Sequence, residues 1–123
     1  MKKIAIAVSI LVSLATVVYA AGIQNTQALA KKGSALFATK GCTACHTIGK
    51  GKLVGPDLKG VTKTRTTKWL TDWLQDTSKM LKTDKTAQAL EKEYGLPMPK
   101  QALTPQEVKE LISFFEASDQ TKK

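Results

Sequence analysis

Leu29, Gly33, Leu36 and Phe37 recur at i, i+4, i+7 and i+8, with small or polar residues between them. That spacing marks one face of a helix, and it predicts a first helix from Thr26 to Lys40. Asn25 or Thr26 is placed to cap it, and Gly41 follows its last basic residue, as at a helix end. Trp69, Leu70, Trp73 and Leu74 form a second such face and predict a helix from Thr67 to Gln75. A third is predicted from Asp84 to Tyr94, capped by Thr83 or Asp84, with Ala87, Leu90 and Tyr94 inward and Gly95 ending it. The last helix has the strongest start signal. Thr104 reads as N-cap, Pro105 as N1 and Glu107 as N3 of a capping box, with Leu103 and Val108 as a hydrophobic staple. Val108, Leu111, Ile112 and Phe115 make its inward stripe, with Phe114 at the edge. No segment alternates over strand length, so the pattern predicts an all-α domain of three to five helices.

Two stretches depart from helical periodicity. Residues 47–66 are rich in Gly, Lys and Thr and read as a loop with turns near Gly49–Gly51, Gly55-Pro56-Asp57 and Gly60. A loop of that length in a compact domain usually serves a site. The other stretch is the start of the chain. Lys2 and Lys3 precede an apolar run from Ile4 to Val18, short for a membrane span, and Val18-Tyr19-Ala20 resembles a cleavage site. Residues 1–20 therefore read as a secretory signal peptide and 21–123 as one domain. An uncleaved anchor is the alternative reading. Export places the domain in the periplasm.

Charge narrows the choice of partner. The formal net charge of +9 falls to +7 once Lys2 and Lys3 leave. Lys50, Lys52, Lys59, Lys63, Arg65 and Lys68 stand against a single acid, Asp57, in the same stretch. A basic patch suits nucleic acid, anionic lipid or an acidic protein. Export and the lack of interleaved aromatics argue against nucleic acid. An acidic protein partner remains, beside the plainer reading of a solvated face that keeps a monomer soluble. Membrane contact is expected only through membrane-bound partners or an uncleaved anchor.

The chemistry is concentrated in Cys42-Thr43-Ala44-Cys45-His46, which holds both cysteines and the one histidine of the chain. A redox Cys-x-x-Cys normally follows a strand, with its first thiol at a helix N-terminus. Here it follows a helix. A zinc site would need a carboxylate as fourth ligand. Cys-x-x-Cys-His is also the attachment pattern of c-type haem. Two thiols add to the two vinyl groups, and the adjacent histidine supplies an axial nitrogen. That reading uses all three residues.

These residues, with Gly33-x-x-Leu36-Phe37 before them, resemble the start of a class I c-type cytochrome. Gly55-Pro56-Asp57-Leu58 is similar to that family's post-haem loop. Met98-Pro99, Leu103-Thr104 and Leu111-Ile112-Ser113-Phe114 resemble its methionine loop and last helix. The resemblance covers most of residues 28–118. It implies a cytochrome c-like fold around one covalent haem c, and a crossing of first and last helices at Gly33 with Phe37, Leu111 and Phe114 packed there. It also implies that the Pro56 carbonyl accepts the second ring N–H of His46. Residues 76–94 are longer and more charged than in the smallest members, and Thr77 stands where many relatives have proline.

For the sixth iron ligand the chain offers Met98, Met80, a lysine or an open position. Met98 is favoured. It lies 52 residues after His46, braced by Pro97 and Pro99 just before the last helix. Met80 reads as a flexible core filler. The fork of Arg65 suits a haem propionate, as do the N–H of Trp69 and the O–H of Tyr94. Val54, Leu58, Leu70, Leu74 and Leu96 are expected against the ring. The functional expectation is a His/Met-ligated electron carrier between redox proteins, not an enzyme. A haem sensor or enzyme subunit with an open or labile sixth ligand is the alternative.

Overall fold

The computed structural model describes residues 22–121, so the expected leader and its cleavage point lie outside the described residues. Helix α1 occupies residues 22–39, about a turn longer at its start than the pattern predicts. The reason is local. Thr26 does not cap; its hydroxyl donates back to the carbonyls of Gly22 and Ile23 from inside the helix. After a 3₁₀ turn, Cys42–Ala44, come α2 (Val61–Thr64), α3 (Thr67–Gln75), α4 (Thr77–Thr83), α5 (Lys85–Tyr94) and α6 (Pro105–Gln120). Pairing of extended backbone among the described residues is limited to a Thr47–Asp57 bridge. The fold is all-α.

The core is made where α1, α3 and α6 meet. Phe37, Leu70, Leu74, Val108, Leu111, Ile112 and Phe115 are all buried there, and each large side chain contributes about 1.5–3 kcal/mol by leaving water. Phe37 packs against Phe114, with ring centres 5.6 Å apart, and edge-on against Phe115. The expected stripe of α6 is buried as written, and its capping box is complete. Thr104 Oγ1 accepts from Glu107 N–H, and the Glu107 carboxylate accepts from Thr104 N–H at 2.8 Å.

Helices α2 and α4 come in addition to those the periodicity indicates. Asp76 caps α4 by accepting from Lys79 N–H. Thr77, at the first position of that helix, is fully buried, and its hydroxyl donates to the Trp73 carbonyl at 2.9 Å. The chain thus turns from α3 into α4 without the proline common there, because Thr77 satisfies a carbonyl at the end of α3. Asp84 likewise caps α5 through Ala87 N–H, and Gly95 closes it at φ 72°, a conformation that costs glycine little.

Helix α2 has no side-chain cap of its own. Asp119, only 5% exposed near the end of α6, supplies one from across the fold. Its carboxylate accepts from the Gly60 and Thr62 N–H groups and from the Thr62 hydroxyl. Burial pushes the Asp119 carboxyl upward. The bonds from Thr62 and Gly60, with the charge of Lys63, outweigh that and hold it below the usual carboxylate value. Because the folded state lowers this acidity constant, its stabilisation is present above about pH 4 and is lost as pH falls through the folded value. Asp119→Ala is expected to cost about 2 kcal/mol at neutral pH. Denaturant melts should show that gap shrinking between about pH 4 and pH 2; a gap that is constant over this range refutes the remote cap.

Candidate functional site

The CTACH segment is shaped by its own backbone. Cys45 and His46 both donate their N–H groups to the Cys42 carbonyl, at 3.1 and 2.9 Å. Gly41 precedes the turn at φ 75°. Cys42 and Cys45 are free thiols, both half-buried. Burial, reinforced by the charge of Cys45 and only partly offset by a backbone hydrogen bond, raises the Cys42 thiol above its ordinary value.

The loop that follows folds back over this turn. Gly55 N–H donates to the Cys45 carbonyl at 2.8 Å, and Leu58 N–H to the Thr47 carbonyl at 2.9 Å. Asp57 gathers the turn between them. Its two carboxylate oxygens accept from the N–H groups of Gly49, Gly51 and Lys59 at 2.7, 2.7 and 2.9 Å. The small loss of hydration works against ionisation there, but those N–H groups, with the Thr47 hydroxyl, hold the carboxyl below its usual range.

That loop fixes His46. Its Nδ1 lies 2.9 Å from the Pro56 carbonyl oxygen. A carbonyl only accepts, so Nδ1 carries the proton and Nε2 keeps its lone pair. The other side of the ring is held by Gly55, where a Cβ would come within 2.6 Å of Cε1 and 3.0 Å of Nδ1. The imidazole therefore has a fixed tautomer and a fixed plane.

Met98 is half-buried in the irregular segment between α5 and α6 and packs, like Cys42, against the core cluster. Its sulfur accepts the Trp73 Nε1–H at 3.1 Å. Lys100 pairs with Asp76 at 3.6 Å, and Lys40 donates to the Ala102 carbonyl at 3.3 Å. These contacts tie the methionine segment to α3, α4 and α1. Met80 lies half-buried within α4.

The remaining expected site residues have protein partners. The Arg65 guanidinium lies 5.4 Å from the Trp69 ring centre and donates to the neighbouring Thr64 carbonyl. Trp69 Nε1–H donates to Asp84 Oδ1 at 3.2 Å. Lys52 lies over the Tyr94 ring at 4.4 Å. Leu70 and Leu74 belong to the core and Leu58 packs against it, whereas Val54 and Leu96 are exposed. Sequence reasoning missed Asp57, Asp119 and the Trp73–Met98 contact. Asp119 had a usable signal. It stands four residues past Phe115, on the apolar stripe of α6, where a carboxylate must have partners.

Among the described residues no three His, Cys, Asp or Glu side chains are placed to hold a metal ion. The donor set does fit a haem. There are two unpaired thiols for thioether formation, a neutral imidazole with a free Nε2, and a thioether sulfur packed on the same core.

Comparison with known proteins agrees with that chemistry. The family described as cytochrome c matches residues 30–118. Cytochrome c from Rhodothermus marinus is 29% identical with a TM-score of 0.72, over 76% of this chain and 78% of that one. An engineered form of it, bound to a carbene intermediate, is 26% identical at TM-score 0.69, over 77% of this chain and 80% of that one. A cytochrome c domain from Pseudomonas putida is 38% identical at TM-score 0.63, over 71% of this chain and 87% of that one. No curated protein sequence matches. With the Cys-x-x-Cys-His turn, its post-haem loop and two thirds of the chain thus accounted for, the chain belongs to the cytochrome c family and carries covalently bound haem c.

Proposed function

We propose that this protein is a single-haem electron carrier of the periplasm, with its iron held between His46 Nε2 and the Met98 thioether. The observation that carries the reading is the His46 clamp. With Nδ1–H committed to Pro56, Nε2 is the nitrogen left for a metal, and the protonated partner makes it a stronger donor. Cys42 and Cys45 anchor the group as thioethers. Haem c supplies a one-electron ferric–ferrous couple. Met98 keeps the sixth position closed to substrate and favours a high potential. This makes the protein a carrier rather than an enzyme. The periplasmic part rests on the Lys2-Lys3 and Ile4–Val18 pattern. No helix among the described residues is long and apolar enough to cross a membrane.

Met98→Ala tests the ligand set. The variant is expected to lose the sulfur-to-iron charge-transfer band, fall in potential and bind CO readily as the ferrous protein, while the unsubstituted protein binds it slowly. A band that survives the substitution removes Met98 from the iron. Fast CO binding by the unsubstituted protein at neutral pH favours the sensor or enzyme reading instead.

Redox proteins with acidic docking surfaces are the proposed partners. The basic stretch Lys50–Lys68 would steer them, since Lys50, Lys52, Lys63 and Lys68 are exposed. Steered association is expected to slow by about tenfold or more as ionic strength rises from low to physiological. Stopped-flow reduction by an acidic partner at constant viscosity reads this directly, and a salt-independent rate rejects steering.

A further inference from the structure

We infer that Trp73 is a positioning residue for the Met98 thioether, selecting the sulfur lone pair that faces the iron and lowering the electron density there. The inference rests on the reading in which Met98 is the sixth ligand. Its own observation is the 3.1 Å approach of Trp73 Nε1 to the Met98 sulfur.

A methionine side chain has three free rotors, and its sulfur carries two lone pairs. The segment around Met98 is irregular, so no regular backbone pattern decides which lone pair points where. An N–H donor on one of them does. To act in this way the donor must itself be rigid, and Trp73 is held at three points. Its carbonyl accepts the buried Thr77 hydroxyl at 2.9 Å. Its ring stacks on Trp69 at 5.3 Å and 12° between planes. Trp69 in turn is held by Asp84 through its N–H and by Arg65 across its ring. The sulfur is thus fixed from α3, by a residue 25 positions earlier in the chain.

The hydrogen bond also has an electronic effect. It draws density from a neutral sulfur and so weakens the donation that ferric iron needs more than ferrous iron does. The ferrous state gains, and the potential is raised.

The test uses the haem-loaded protein with Trp73 replaced by Phe, which removes the N–H, or by 3-benzothienylalanine, which keeps the shape of indole and puts sulfur in place of N–H. The charge-transfer band should persist in both. At a fixed solution potential the ferric-to-ferrous ratio should rise about two- to tenfold, the worth of one net hydrogen bond. Paramagnetic shifts of the haem methyls in the ferric protein should change from one sulfur configuration to a mixture. If the band is present and the isostere changes neither ratio nor shifts, this inference fails alone. If the unsubstituted protein has no such band, the Met98 reading fails and takes the inference with it.

Discussion

Gly33→Ala is expected to lower the thermal midpoint by about 15 °C or more, although helix propensity alone favours it. Alanine gains about 1 kcal/mol over glycine inside an exposed helix. Against that stands the crossing of α1 and α6. A Cβ at position 33 would lie 1.9 Å from the Glu110 carbonyl oxygen, 2.5 Å from its carbon and 2.8 Å from the Phe114 Cβ. None of these is the far end of a flexible side chain, so a helix must move. Moving it opens the packing of Phe37 on Phe114 and Phe115 and draws α1 away from the core face of α6. Overpacking of this kind costs about 1–3 kcal/mol and more where backbone is struck. A loss near 3 kcal/mol in a domain of about 100 residues corresponds to the stated shift. Gly22→Ala is the comparison, because a Cβ there meets nothing within 4 Å. A midpoint for Gly33→Ala equal to or above that of the unsubstituted protein would show that the crossing has room to spare.

The same crossing shows how far the sequence could be read. Gly33, Phe37 and the α6 stripe were legible because helical period 3.6 repeats over several turns and because the capping box at Thr104 fixes the start. Helix α3 was legible for the same reason, to the residue. Helix α4 was not. Its sequence, TSKMLKT, has no apolar stripe. What holds it is tertiary: a cap from Asp76, a buried Thr77 bonded to Trp73, and the neighbouring α5. Helix α2 was hidden inside a loop because its cap comes from Asp119, about sixty positions later. At the site, CTACH announced itself through local spacing, and the role of the Pro56 carbonyl came from resemblance to a family. The Trp73–Met98 contact joins positions that no periodicity relates. Trp69 and Arg65 carried a chemical suggestion, an N–H and a guanidinium for a propionate, without any means of seeing that Asp84 and the indole ring lie beside them.

Gly55→Ala should be the most damaging single-methyl change at the site. The residue is not at positive φ, so its backbone tolerates alanine; the obstacle is what the methyl meets. It would stand 2.6 Å from Cε1 and 3.0 Å from Nδ1 of His46, and 3.3 Å from the Cys45 carbonyl oxygen. Either the ring turns or the loop lifts. Both break the 2.9 Å bond from Nδ1–H to Pro56, and lifting also breaks the bond from Gly55 N–H to Cys45. Loss of such a partner typically weakens a metal–histidine bond by about 10- to 100-fold. The thioethers would still retain the haem, so the loss should be read at the iron: a shift of the ferric protein from low toward high spin, and a lower midpoint in denaturant. Pro56→Ala separates this from a general loosening of the loop. The acceptor at 56 is backbone, so that variant keeps the hydrogen bond and should remain low-spin with at most a small loss of stability from the freer unfolded chain. If Pro56→Ala disturbs the spin state as much as Gly55→Ala does, the imidazole is held by loop stiffness and not by the contact with residue 55. If Gly55→Ala alone disturbs it, a single missing Cβ is what lets the loop close on His46 and fix its tautomer.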